Sequence, residues 1–385
     1  MKVYLDNSST TRPRDEVIDE VCHMLKVQYG NPSSLHRMGL EVEKRIESSR
    51  KTIADFLKCD KDEIFFTSGG TESNNIAVQG IINKNIRRGN HIITTKFEHS
   101  SVLSIAKHYE SKGLKVTYLD LDEYGMINLE QLEDSINEGT ILVAIMMVNN
   151  EIGSILPIND INEVIKSKNK NTKIHVDGIQ AFSKLDIDLR KLNIDTFSFS
   201  SHKVHGPKGV GGLYVKKDVI LEPIIYGGNQ ERGIRSGTEN VPGIIGFGKA
   251  VDILKEKYKK EAEDIKRVKD YFVKKIIDNI EDVKVNSLLD DRCAPHILNV
   301  SFIGVRGEVL LHYLEDNGVY VSTASACSSH GKGKSHVLKS IGLKDEEIEG
   351  AIRFSFSHYN TLEEIDYAAQ TLEQSVKDIR RITMR

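Results

Sequence analysis

Through the first two-thirds of the chain, short runs of β-branched and aromatic residues alternate with stretches whose apolar residues recur at helical spacing. Runs at 64–67, 91–95, 115–119, 141–148 and 173–177 read as strands, and the stretches at 42–57, from 72, from 100, at 128–136 and at 158–166 read as helices. This β-α-β-α order predicts an α/β fold with a mostly parallel sheet and helices on both faces. After about residue 184 the pattern changes, because 196–200 and 212–215 are two short strands separated only by a Gly/Pro/Lys loop, which fits a hairpin-like pair. A long helical stretch from 242 to about 280, rich in Lys and Glu over 256–269, is suited to bridge two domains with a solvated face. Beyond it, strands at 283–285, 296–302, 320–322 and 352–356, a helix at 307–316 and a final helix from 362 predict a smaller α+β domain. The expected division is a large domain of 14–255 and a small one that joins 1–13 to 256–385. No internal repeat of 20–50 residues competes with this reading.

Composition narrows the class of function. The 385 residues allow two to three domains of about 150 residues each, and the pattern selects two. With 53 Lys and Arg against 56 Asp and Glu, the net charge of −3 argues against a dedicated nucleic-acid binder. The longest uninterrupted apolar run, 141–148, falls far short of the ~20 residues that span a membrane. An acid at Asp6 interrupts the N-terminus before any secretory h-region develops, so a cytoplasmic protein is expected. The four cysteines sit at wide spacings that suggest a reducing compartment. Cys22 and Cys59 fall in helical patterns and read as small hydrophobes. Cys293 with His296 forms a CxxH pair without a second pair, so no metal site is expected.

Three stretches carry chemistry. In Thr67-Ser68-Gly69-Gly70-Thr71-Glu72 a strand ends in two glycines and a helix begins, a geometry whose backbone N–H groups suit a phosphate or serve as a plain capped turn. The superficially similar Gly331-Lys332-Gly333-Lys334-Ser335 is not a Walker loop, because the position that needs the first glycine is Ser328. Lys203 follows a buried-looking strand in Ser200-Ser201-His202-Lys203 and stands where a desolvated amine can form a Schiff base. Asp177 ends an earlier strand, where a buried carboxylate can hold a protonated pyridine nitrogen. Phosphate turn, strand-end aspartate and strand-end lysine together make a pyridoxal-phosphate constellation. Cys327 lies among small residues, and His330, Lys332 and Lys334 near it in sequence would favour the thiolate.

At these residues the chain resembles the cysteine desulfurases of the NifS/IscS type, within the class V aminotransferase group of fold-type-I pyridoxal-phosphate enzymes. The likeness runs nearly end to end, through Tyr4-Leu5-Asp6-Asn7, Gly30-Asn31-Pro32, Thr67 to Asn74, Glu98-His99, Asn149-Asn150-Glu151, His175-Val176-Asp177, Ser200 to Gly209, Arg235-Ser236-Gly237-Thr238, Ser325-Ala326-Cys327 and Ile352-Arg353-Phe354-Ser355. It implies pyridoxal 5'-phosphate as cofactor and L-cysteine as substrate. Lys203 would carry the cofactor and move protons, His99 would stack on its ring, Asp177 would pair with the ring nitrogen and Gln180 would bond the phenolic oxygen. Gly70, Thr71, Ser200 and His202 would hold the phosphate. Thr238 would reach that phosphate from a partner subunit, which implies a homodimer. Arg353 and Asn150 would hold the substrate carboxylate, and Cys327 as thiolate would take the sulfur as a persulfide and leave L-alanine.

Departures from the family's usual pattern bear on the acceptor. Ala324 and Ser201 stand where many relatives carry glycine, and the stretch 328–334 is unusually basic. Twelve residues from Cys327 to Leu338 match the longer-looped relatives, whose cysteine swings out to an acceptor, while the end at Arg385 suggests no scaffold-docking extension. The expected partner is a sulfur-acceptor protein, either an iron–sulfur scaffold or a tRNA-thiolation enzyme, with no direct nucleic-acid or membrane contact. The rival readings are a selenocysteine lyase or aminotransferase on the same fold, and a non-catalytic regulator.

Overall fold

The computed structural model describes residues 1–323 and 334–383. Its centre is a seven-stranded sheet in the order Ile64–Thr67, Gly211–Val215, Thr196–Ser200, Lys173–Asp177, Thr140–Met146, His91–Thr95, Lys115–Leu119. Only Gly211–Val215 runs against its neighbours, so the α/β fold with a mostly parallel sheet expected from the sequence is the fold observed. Burial on both faces explains the apolar residues of the inner strands, whereas the edge strand Lys115–Leu119 is exposed at its start. Along four of the strands, 64–67, 91–95, 140–146 and 211–215, apolar side chains alternate between two cores. Phe65, Ile92, Leu142 and Leu213 pack on the helices Gly70–Asn85 and Ser100–Ser111, whereas Phe66, Ile93, Val143 and Tyr214 face a core to which Arg37–Leu57 and Ile158–Lys168 contribute.

A second, antiparallel sheet has the order Ser322–Thr323, Ala351–Ser355, Ile297–Phe302, Val283–Val285. The helix Val241–Asn279 serves both halves of the molecule, with Val241 to Leu254 packed in the core of the large sheet and Ile265 to Ile276 packed with the second. The helices Gly307–Asp316 and Leu362–Thr383 complete that second core. Val3–Tyr4 pairs in parallel with Val319–Tyr320, which draws the N-terminus to this side, and Asp6 bridges to Ser355.

Three local features depart from the sequence reading. The single strand expected at 320–322 is two, because Val319–Tyr320 pairs with the N-terminus while Ser322–Thr323 pairs with Ala351–Ser355, and Val321 makes the switch. Asp15–Lys26 is an additional helix, held by only two buried side chains, Val17 and Met24, and Cys22 lies on its exposed side instead of filling a core. The helix expected at 42–57 begins at Arg37, because His36 caps it by accepting from the Gly39 N–H at 3.3 Å. No helix among the described residues is long and apolar enough to cross a membrane.

Candidate active site

Five parallel strands of the large sheet deliver their C-terminal ends to one side, the place where open α/β sheets hold ligands. From those ends come Gly70 and Thr71, His99, Asn150, Asp177 and Gln180, and Ser200, His202 and Lys203, and all of them line one cavity of about 340 Å³. Arg353, from the second sheet, and Ser8 and Ser9, from the N-terminal segment, close it. The structure thus brings together every expected site residue except two. Thr238 is exposed and does not line the cavity. Cys327 lies outside the described residues.

The turn that starts the first helix is built by close backbone approach. Gly69 has φ of 154°, and a Cβ on Gly211 of the adjacent strand would lie 2.7 Å from the Gly69 Cα, so both positions require glycine. The helix Gly70–Asn85 then begins at the cavity with its first N–H groups lacking intrahelical partners. Beside it the Ser200 hydroxyl is buried with no partner among the described residues. An orphaned donor next to a helix N-terminus fits a bound phosphate.

Asp177 is held by a polar network in which Asn74 is central. The Asn74 amide nitrogen donates to Asp177 Oδ2 and to Ser101 Oγ, each at 2.8 Å, and its oxygen accepts from Ser198 Oγ at 2.5 Å and His175 Nε2 at 3.0 Å. The Ile179 N–H donates to the other Asp177 oxygen at 3.0 Å. Burial pushes His175 down to about 3, so it stays neutral and donates from one nitrogen only. His99 joins the same network, because its Nδ1 accepts from Ser101 Oγ at 2.8 Å while capping the helix Ser100–Ser111. Burial lowers the His99 pKa, helped by the Lys203 and His336 charges and opposed by Asp177. A neutral ring of fixed tautomer, with Nδ1 as acceptor, results.

Lys203 donates to the carbonyl oxygens of Ser8 and of Ser9, the latter at 2.8 Å. Gln180 donates to the same Ser8 carbonyl at 3.0 Å and accepts from His296 Nε2 at 3.2 Å. Burial, with Lys203 and Lys208 nearby, lowers His202 to about 4. Arg353 is 3% exposed; its Nη1 donates to the Asn150 carbonyl at 3.0 Å, and its Nη2 donates to Asp6 at 2.9 Å and Ser9 Oγ at 2.6 Å. Its Nε is buried with no acceptor among the described residues, a donor left over for an anion. Amine, carboxylate, imidazole, helix-terminal turn and spare guanidinium donor suit the groups of pyridoxal phosphate and of an amino acid, so the residues fit that cofactor.

A second cavity of about 550 Å³ shares the walls His99 and Asn150 and is bordered by Lys96, Lys107, Glu151 and Ser335. The sequence reading had assigned no role to Ser8, Asn74, Ser101, His175 or Ser198. Asn74 stood inside the Thr67 to Asn74 motif, and that was the one signal for it.

Comparison with known proteins places these features in context. Residues 3–368 match the Aminotransferase class-V family. The chain is 43% identical over 383 residues to "Cysteine desulfurase IscS" of Clostridium botulinum, covering 99% of this chain and 96% of that protein. Among solved structures, "NIFS-LIKE PROTEIN" superposes with a TM-score of 0.93 at 40% identity, over 98% of this chain and all of its own length. "SspA in complex with cysteine" superposes with a TM-score of 0.82 at 34% identity, over 94% of this chain and all of that one.

Proposed function

We propose that this chain, which belongs to the Aminotransferase class-V family, is a pyridoxal-phosphate-dependent cysteine desulfurase: it takes sulfur from L-cysteine, releases L-alanine and carries the sulfur as a persulfide on Cys327. The observation that carries the reading is the convergence of Lys203, Asp177, His99 and Arg353 on one cavity with two buried donors, Ser200 Oγ and Arg353 Nε, that have no partner among the described residues. Relatives named as cysteine desulfurases, and a neighbour described with cysteine, agree with it.

Bound at Lys203, the cofactor supplies an electron sink conjugated to the substrate Cα. The rest is done by the chain's own groups. Gly70, Thr71, Ser200 and His202 would hold the phosphate, Asp177 would keep a proton on the ring nitrogen, Gln180 would meet the phenolic oxygen and His99 would cover the ring. Arg353 and Asn150 hold the substrate carboxylate, with Arg353 Nε as the donor in reserve. The Lys203 amine would take the proton from the substrate Cα and serve as the local proton carrier. The Cys327 thiolate attacks the substrate sulfur, an S–S bond forms as the Cβ–S bond breaks, and the electron pair left on Cβ takes up a proton to give L-alanine.

Thr238 serves the phosphate of a second copy in this reading, and the protein works as a homodimer. Exposed Leu25, Tyr29, Leu35 and Tyr226 support such an interface. The persulfide passes to an acceptor protein, an iron–sulfur scaffold or a thiolation enzyme, and thiolate chemistry on Cys327 suits a reducing, cytoplasmic setting.

The test incubates cofactor-loaded protein with L-cysteine and reads L-alanine and persulfide by mass. Parent protein yields both, Cys327→Ala yields neither yet keeps its cofactor absorbance, and Lys203→Ala loses the borohydride-sensitive band. Full turnover of L-cysteine by Cys327→Ala refutes the assignment.

A further inference from the structure

Glu151 follows Asn150, a wall of the active cavity, and is 3% exposed. A buried carboxyl needs a partner, and this one has a specific partner far away in sequence: its Oε2 accepts from Ser335 Oγ at 2.6 Å. Ser335 is 5% exposed, and its hydroxyl oxygen also accepts the Leu338 N–H at 3.1 Å, capping the helix His336–Ser340. The hydroxyl has one proton, and the cap has taken its acceptor role, so that proton points at Glu151. One residue on, His336 Nε2 donates to the Glu98 carbonyl at 3.0 Å, directly before His99. Apolar packing reinforces the attachment, since Ile152 and Leu338 are both fully buried in one small cluster. Residues 335–338 are therefore fixed at two points, one on the Asn150 side of the cavity and one on the His99 side. The same residues begin eight positions after the cysteine that the functional reading makes the sulfur nucleophile.

We infer that Glu151 is a positioning residue for sulfur transfer, acting through Ser335 to fix residues 335–338, which begin eight positions after Cys327, against the walls made by Asn150 and His99. The inference rests on the desulfurase reading and deepens it. Glu151 touches neither cofactor nor substrate, and its effect falls on the step that needs Cys327, not on the proton transfers that need Lys203. Positioning of this kind is worth much in rate, because reaction depends on near-attack geometry.

Two reactions of the cofactor-loaded protein separate the steps. Exchange of the L-alanine Cα hydrogen with deuterium from solvent uses Lys203, Asp177 and Arg353 but has no sulfur for a thiol to attack. Persulfide formation from L-cysteine in a single turnover uses all of these and Cys327. Glu151→Leu and Ser335→Ala are expected to slow persulfide formation about tenfold or more while exchange stays within about twofold. Glu151→Gln, whose amide oxygen still accepts, and Ser335→Thr, which still donates, are expected to restore the rate. The double variant Glu151→Leu/Ser335→Ala is expected to be no slower than the slower single variant, because both remove one contact. Equal slowing of exchange and persulfide formation, additive effects in the double variant, or no slowing in either single variant overturns the inference. A parent protein that forms no persulfide overturns the functional reading itself, and this inference with it; a normal parent with unaffected variants overturns this inference alone.

Discussion

Asn74→Asp is the most demanding test of the network around Asp177. The substitution keeps the shape of the side chain and replaces the amide nitrogen, 2.8 Å from Asp177 Oδ2, by an oxygen. Two carboxylates at that distance repel by about 6 kcal/mol at an effective dielectric of 20. That is about four pKa units, so the pair holds one shared proton at neutral pH. The sign follows from linkage. A carboxyl whose folded pKa is raised keeps a proton that the unfolded chain releases near pH 4. Its contribution is complete below that value and is withdrawn as pH rises toward the folded one. Relative to the parent, the variant therefore loses stability between pH 5 and 8, by an amount capped at about 4 kcal/mol by the three pH units spanned. Urea unfolding of both cofactor-free proteins at the two pH values reads the difference. Parallel pH dependence of parent and variant would show that Asn74 and Asp177 are not in contact as described, and the account of how Asp177 is held would fall.

Other consequences of burial are equally direct. Glu231→Gln leaves Arg50, 2.8 Å away and 8% exposed at its side chain, short of a buried charge; urea unfolding should show a loss of about 3 kcal/mol, and a loss under 1 kcal/mol would contradict the pairing. Burial raises Glu98 to about 8 with one oxygen unpartnered, so its favourable contribution is complete below about pH 4.5 and is withdrawn as pH rises through about 8. Glu98→Gln should accordingly gain stability relative to the parent between pH 5.5 and 8, on the order of a few kcal/mol, and a constant difference would refute the shift. Gly178→Ala places a Cβ 1.8 Å from the Phe197 ring, next to Asp177, and should cost about 3 kcal/mol by the same measurement.

What was legible in the sequence was set by local chemistry. Strands at 64–67, 91–95 and 173–177 were readable to the residue because they are buried almost throughout, and 115–119, an exposed-edge strand, was readable from its β-branched and aromatic residues. Lys203 and Asp177 were readable because a charged residue at the end of a buried strand has few structural uses. The helix Asp15–Lys26 was seen only as a helical pattern around Cys22, because the element that covers it, Val241–Asn279, lies far away in sequence. Asn74, Ser101, His175 and Ser198 were not readable, because each is an ordinary polar residue whose meaning lies in partners up to 124 positions away. A hydrophobic pattern records which face is buried and does not record which donor meets which acceptor.

The same reasoning applies to the N-terminal segment, where Tyr4-Leu5-Asp6-Asn7 and Ser9-Thr10-Thr11 carry part of the family likeness but give no sign of the contacts made. Residues 6–11 carry short polar side chains that suit any loop, yet Lys203 donates to the carbonyls of Ser8 and Ser9, Gln180 to that of Ser8, and Arg353 to Asp6 and Ser9. Thr11 returns the contact, donating to the His202 carbonyl at 2.9 Å and accepting the His205 N–H at 2.8 Å. Val3–Tyr4 and Asp6 anchor this segment to the strands Val319–Tyr320 and Ala351–Ser355, the second of which carries Arg353. One short stretch therefore sets the distance between the amine of the large sheet and the guanidinium of the second. An amino acid held at both ends needs that distance fixed, which gives these backbone carbonyls a function that no side-chain motif could announce.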